Sequence, residues 1–218
     1  MRMKVNFRLI WFFSVILLSS CTAIFAEPTK QPTDKSWLQN PGCELPCWQN
    51  ITPQKTSFDD VMSILSQANI PIAFKSRTEK EIGFQFQDTI AGSISGTLNQ
   101  SVDHIILSVH YEEITLGDLE EIIGQPGKVY IVKAYGNNCE PRLLFQKHGV
   151  IVDLVPIDDH SGLFRDVLDC KVDINMNSLV YRIVLTGDFD GSEIWRNGYS
   201  KWTYMEWKGY GTYLNYSD

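Results

Sequence analysis

The feature that most limits what this chain can fold into is a self-similarity at an offset of 58 residues. Ser57-Phe-Asp-Asp60-Val-Met-Ser-Ile64-Leu-Ser66-Gln67 aligns with Thr115-Leu-Gly-Asp118-Leu-Glu-Glu-Ile122-Ile-Gly124-Gln125. Each copy opens with a hydroxyl residue followed three positions later by Asp, the pattern in which side-chain oxygens take up the unpaired amides of a helix start. Apolar residues then recur at helical spacing, Phe58, Val61, Ile64 and Leu65 in one copy and Leu116, Leu119, Ile122 and Ile123 in the other. The spacing predicts two short amphipathic helices, the first ending before Ile70-Pro71 and the second at Gly124-Gln-Pro126-Gly127.

After each helix the period shortens to that of a strand. Glu81-Ile-Gly-Phe-Gln-Phe-Gln87, the Gly/Ser-containing stretch 91–97 and His104-Ile-Ile-Leu-Ser-Val-His-Tyr111 follow the first. Val129-Tyr-Ile-Val132, Arg142-Leu-Leu-Phe-Gln146, Val150-Ile-Val-Asp-Leu-Val155 and Leu179-Val-Tyr-Arg-Ile-Val-Leu185 follow the second. The last strands match as well, Val102, Ile105 and Leu107 against Val180, Ile183 and Leu185. The expected fold class is α+β, with tandem helix-plus-antiparallel-meander units packed as one body and the helices on one sheet face. The units are expected at residues 41–112 and 113–218, the second ending in an aromatic hairpin.

The phrase Ile51-Thr-Pro-Gln-Lys-Thr-Ser-Phe-Asp-Asp-Val61 and the run from Leu116 to Pro126 resemble the helical start of the small outer-membrane-assembly lipoproteins and of their relatives with the beta-lactamase-inhibitor-protein fold. That resemblance implies a lipid anchor and helix-then-sheet units in tandem. It departs from the pattern at Gln54, where those proteins usually carry glycine. Pro41-Gly-Cys-Glu-Leu-Pro-Cys-Trp48 resembles instead exported bacterial lipoproteins with a Leu-Pro-Cys-Trp element, a family whose activity is unknown.

The N-terminus reads as an address. Three cations and no acid, Arg2, Lys4 and Arg8, precede Leu9-Ile-Trp-Phe-Phe-Ser-Val-Ile-Leu-Leu18, an apolar run too short to span a bilayer as a finished helix. Leu18-Ser-Ser-Cys21 then resembles the bacterial lipobox, which makes 1–20 a removable signal and Cys21 the lipid-bearing first residue. Cleavage after Ala26 is the alternative. Sequons at Asn50, Asn99 and Asn215 leave a secreted glycoprotein open. Residues 21–40 carry prolines and polar side chains without apolar period and read as a flexible spacer. The expected location is therefore the extracytoplasmic face of a cell membrane or outer membrane, reached through the N-terminal lipid.

Losing the signal removes three cations and takes the formal net charge from −7 to −10. So acidic a body is a poor partner for nucleic acid or for anionic lipid headgroups. Besides Cys21 there remain Cys43, Cys47, Cys139 and Cys170, and an even count in an oxidising compartment favours two disulfides with three connectivities open. Pairing Cys43 with Cys47 and Cys139 with Cys170 keeps each bond within one segment. Zinc needs four ligands and redox motifs two intervening residues, so Cys43-Glu-Leu-Pro-Cys47 serves neither well.

Trp195, Tyr199, Trp202, Tyr204, Trp207 and Tyr210, with Tyr213 and Tyr216 beyond them, form the candidate binding surface. Aromatic faces with polar tips stack on sugars and anchor protein interfaces. The same residues also suit a terminal hairpin turning at Lys208-Gly-Tyr-Gly211, so exposure of Trp202 and Trp207 separates the readings. Asp188-Phe-Asp190-Gly-Ser192-Glu193 lacks the spacing of a calcium loop. Asp158, Asp159 and His160, with Asp153, Asp166 and Asp169 around them, read as a wet acidic loop. His104 and His110 share one strand face, and His148 and His160 complete no metal pattern. Gly92-Ser-Ile-Ser-Gly96 has isoleucine where a nucleophile would stand, and with no Walker loop or dinucleotide fingerprint no cofactor is expected. What remains is a non-enzymatic, membrane-tethered binding or scaffold protein with an envelope protein or glycan as partner; the alternatives are a carbohydrate-binding module and an envelope hydrolase.

Overall fold

The computed structural model describes residues 38, 42–76, 81–86, 90–96, 100–109, 114–133, 139–155, 170–187 and 205–215. The chain divides into Met1–Pro32 and Thr33–Asp218, and all described residues belong to the second unit. The described residues are mostly antiparallel sheet, with two short α-helices among them, α1 (Val61–Gln67) and α2 (Leu116–Ile123). The strands are β1 (Ile72–Lys75), β2 (Glu81–Phe86), β3 (Ile90–Gly96), β4 (Val102–Val109), β5 (Lys128–Lys133), β6 (Cys139–Phe145), β7 (Val150–Leu154), β8 (Cys170–Ile174), β9 (Val180–Thr186), β10 (Met205–Glu206) and β11 (Gly211–Asn215). Nine of them form one sheet in the order β1-β2-β3-β4-β9-β7-β6-β5-β10, while β8 and β11 pair as a separate ribbon.

Both helices begin where the hydroxyl residues stand. Thr115 and Asp118 exchange side-chain and backbone bonds in a complete capping box. Ser57 starts the 3-10 turn Phe58–Asp60 that leads into α1, and its hydroxyl accepts from the Asp59 amide rather than from that of Asp60. The faces turned inward are equivalent, with Phe58, Val61 and Leu65 buried in one and Leu116, Leu119 and Ile123 in the other. Burial of each such side chain is worth about 1.5–3 kcal/mol.

Backbone bonds tie the approach to each helix to a strand further along the chain, β4 for α1 and β9 for α2. The Phe58 amide donates to Gln100 and that of Val102 to Thr56, each at 2.8 Å; the Leu116 amide donates to Ser178 at 2.8 Å and that of Val180 to Ile114 at 2.9 Å. β4 and β9 then pair with each other at the middle of the sheet, Ile105 opposite Leu185 and Leu107 opposite Ile183. Each carries a bulge at its start, which leaves Asp103 without an opposite number on β3 and Tyr181 without one on β7.

One sheet face is continuous core, running from Ile82 and Phe84 through Ile94, Ile105 and Leu107 to Ile183, Val152 and Leu143. Val172, Ile174 and Tyr213 of the ribbon join it, as does Trp48, whose ring stacks on Phe84 at 4.8 Å and meets Phe86 edge-on at 5.5 Å. Trp48 is held by a reciprocal backbone bridge to Ile51, and the loop before it is closed by the Cys43–Cys47 disulfide.

The aromatic terminal hairpin is corrected. β10 pairs with β5, Met205 opposite Val129, and β11 pairs with β8, Tyr213 opposite Val172. The segment between them is organised by Tyr213, whose hydroxyl donates to the Gly209 carbonyl at 2.6 Å and accepts from the Lys208 amide at 3.0 Å. β5 offers an open edge and the core offers a place for the Tyr213 ring, and together these outweigh the local turn signal.

Candidate functional site

The sheet face away from the main core is divided. Across the second half, Tyr130, Arg142, Leu144, Ile151, Asp153, Val184 and Thr186 are buried, which makes β6, β7 and β9 covered on both faces. Across the first half, Gln85, Ala91 and Ser108 are exposed and Ser93, Ser95, His104 and Ile106 half-buried. On that face Gly83 lies beneath the Phe74 ring, which leaves no room for a Cβ.

Between the halves runs an ion network. Register places Tyr130, Arg142, Asp153, Arg182 and Ser108 in one cross-strand row. Asp153, fully buried, accepts from Arg142 Nε on one carboxylate oxygen and from Arg182 Nε on the other. Glu140 receives the Nη2 groups of Arg142 at 3.3 Å and Arg182 at 3.4 Å, and also the hydroxyl of Tyr181. The β9 bulge turns Tyr181 to the same face as Arg182, whose guanidinium carbon lies 5.3 Å from the Tyr181 ring centroid. Burial first, then the bond to Glu140, drives the Tyr181 phenol well above its usual range and keeps it a donor. Burial opposes the charge on Arg182, but Asp153 and Glu140 overcome it and raise its pKa. Two guanidinium groups face two carboxylates, so the network is neutral in sum and fixed in orientation. Arg182, 32% exposed in its side chain, carries it to the surface.

Sequence reading missed this network. Its signal is present in hindsight as Arg142, Asp153 and Arg182, single charges in otherwise apolar strand runs, which burial on both faces obliges to pair. Asp153, expected in a wet acidic loop, is the most enclosed member. Asp158, Asp159, His160, Asp166 and Asp169 lie outside the described residues, as do His110 and the 188–193 loop.

Of the aromatic candidates, Trp195, Tyr199, Trp202 and Tyr204 lie outside the described residues. Trp207 is half-buried against the core, stacked on Tyr213 at 5.6 Å and met edge-on by Tyr210 at 5.9 Å. Tyr210 is 46% exposed, and its hydroxyl donates to Glu120 of α2 at 2.6 Å; burial and that bond push its phenol up to about 12. These contacts brace the segment against α2. Cys21 lies outside the described residues, Cys43 and Cys47 are bonded to each other, and Cys139, the first residue of β6, is disulfide-bonded. Cys170 opens β8, a strand packed against β6. His104 sits on β4 with its imidazole pKa lowered by burial, against the pull of Asp103 and Glu81.

Among the described residues no three His, Cys, Asp or Glu side chains gather as a metal site, and no helix is long and apolar enough to cross a membrane. No protein-family model, no curated protein and no solved structure matches the chain.

Proposed function

We propose that this chain is a lipid-anchored, extracytoplasmic binding or scaffold protein without enzymatic activity, and that it holds a polypeptide partner on the open half of the sheet face. The observation that carries this reading is the border of that face. Arg182 presents N–H donors whose direction is locked by buried Asp153 and by Glu140, beside a shallow surface of serine and alanine. Fixed donors next to low side chains suit the acceptors of an approaching backbone, because little rotamer entropy is lost on contact.

The body is a tandem of two helix-plus-meander units, 41–112 and 113–218, packed through β4 and β9. The equivalent helix-to-strand bonds of Val102 and Val180, the equivalent bulges at Asp103 and Tyr181, and the mirrored strand order support this reading. Gln54, where the outer-membrane-assembly lipoproteins usually carry glycine, adopts φ +62, a left-handed conformation that glycine accommodates without strain.

Lipidation is tested by expression in bacteria with a labelled fatty acid: wild type takes up label and Cys21→Ala does not, and equal labelling ends the anchor reading. The face is tested by a photo-crosslinking residue at Ser93 or Ala91, with Glu121 on α2 as control. A discrete protein adduct from the face positions alone is expected; the same adducts at Glu121, or none at the face, count against it.

A further inference from the structure

We infer that a small cleft at one end of the sheet binds a phosphate group. The cleft lies between the turn 52–55 that precedes α1 and the turn 146–149 that joins β6 to β7, with Gly187 at the end of β9 and Pro46 of the disulfide loop completing its wall. Its volume is 130 Å³, enough for a tetrahedral oxyanion.

The chemistry of the lining is one-sided. Lys55, Lys147 and His148 contribute to it, Gln54 and Gln146 add amides, and among the described residues no carboxylate does. That is unexpected in a chain with 26 acidic residues against 19 Lys and Arg. Among the described residues neither Lys55 nor Lys147 has an ion-pair partner, although paired guanidinium groups lie elsewhere on the sheet. Both lysines line the same cleft, so an anion seated in it meets two positive charges.

The backbone around the cleft is built for close approach. Gly149 is left-handed at φ +58, and a Cβ there would lie 2.5 Å from the Thr186 carbonyl. Gly187 leaves room for the Gln54 side chain, which would otherwise sit 2.2 Å from a Cβ. Gln54 is itself pinned in its left-handed conformation by its amide bond to Val102 at 2.6 Å. The cleft therefore has a fixed floor with lysines at its rim.

Its position gives two sources for the phosphate. The disulfide loop that walls the cleft follows the spacer in sequence, so on the lipoprotein reading the tether keeps the cleft within reach of the bilayer. There the group is the headgroup of an anionic phospholipid; otherwise it is a soluble phosphate. The cleft itself does not depend on the anchor.

The test is calorimetric titration of inorganic phosphate into the full chain, held in nanodiscs of phosphatidylcholine, for wild type and for the Lys55→Gln/Lys147→Gln double variant. Saturable binding that weakens about tenfold or more in the double variant is expected, a loss of about 1.4 kcal/mol or more. Both lysines are exposed, and an unchanged thermal melt shows that the double variant is folded. Repeating the titration with phosphatidylglycerol added to the nanodiscs separates the sources: weaker apparent phosphate affinity identifies the lipid headgroup as occupant, and unchanged affinity identifies soluble phosphate. Absence of saturable binding in phosphatidylcholine nanodiscs, or equal binding by the double variant, overturns the proposal. Failure of Cys21 to take up lipid would remove the headgroup as a source and leave the phosphate result standing.

Discussion

Arg182 and Asp153 lie directly opposite each other on β9 and β7, joined through Arg182 Nε, and Asp153 gives its other oxygen to Arg142. Three charges thus share one row of the sheet, with Arg142 only 4% exposed and Asp153 fully enclosed. Such a group is weak evidence of stability by itself, since desolvation offsets much of the attraction, but removing its centre leaves two guanidinium groups facing each other.

Asp153→Asn is therefore expected to lower unfolding stability by about 3–5 kcal/mol in denaturant titration, because Arg142 cannot reach water. Asp103→Asn, at the equivalent bulge but exposed, should change it by no more than about 0.5 kcal/mol. Equal effects would show that the network is solvated.

Trp48 is expected to hold the disulfide loop to the sheet. Trp48→Ala should cost about 3–5 kcal/mol by emptying the space over Phe84 and Phe86. Opening the Cys43–Cys47 ring alone should cost about 2 kcal/mol on the loop-closure model. Thermal melts of Trp48→Ala and of the Cys43→Ser/Cys47→Ser pair check the order of the two effects.

Cys139 is expected to be bonded to Cys170. Cys43 and Cys47 satisfy each other, and β8 begins at Cys170 against the strand that begins at Cys139. A ring of about 30 residues should contribute about 3–4 kcal/mol. Peptide mapping of unreduced protein checks it, and recovery of a Cys21 to Cys139 peptide would overturn both this bond and the lipid anchor.

His104 gives the stability curve an acid limb. Its folded pKa lies below the unfolded 6.5 because burial disfavours the imidazolium. The unfolded chain therefore binds the proton more readily. Stability present above pH 6.5 is lost as pH falls through that value toward the lower folded pKa. Melting temperature should drop across that window, and His104→Asn should flatten this part of the curve; an unchanged slope would place the titration elsewhere.

Much of the local structure was legible because its causes are local. Thr115 with Asp118 caps a helix across three residues, Val61 and Leu65 share a face because they stand one turn apart, and the strands from Val150 and Leu179 are marked by β-branched runs. Even the correspondence of Val102 with Val180 could be read from residue order. The terminal hairpin failed because Lys208-Gly-Tyr-Gly211 is a turn signal that says nothing about which strands its flanks will meet.

By itself the sequence determined where the hydroxyl-started helical segments lie, which face of each is apolar and where most of the sheet strands run. Only the tertiary structure decided that β4 meets β9, that β8 leaves the main sheet, and that Arg142, Asp153, Glu140, Tyr181 and Arg182 converge. The physical reason is range. Caps and periodicity act over a turn or a pleat, whereas strand partnership is set by burying the whole apolar face at once. A charge on a buried strand acquires its meaning only when that arrangement brings its opposite within reach.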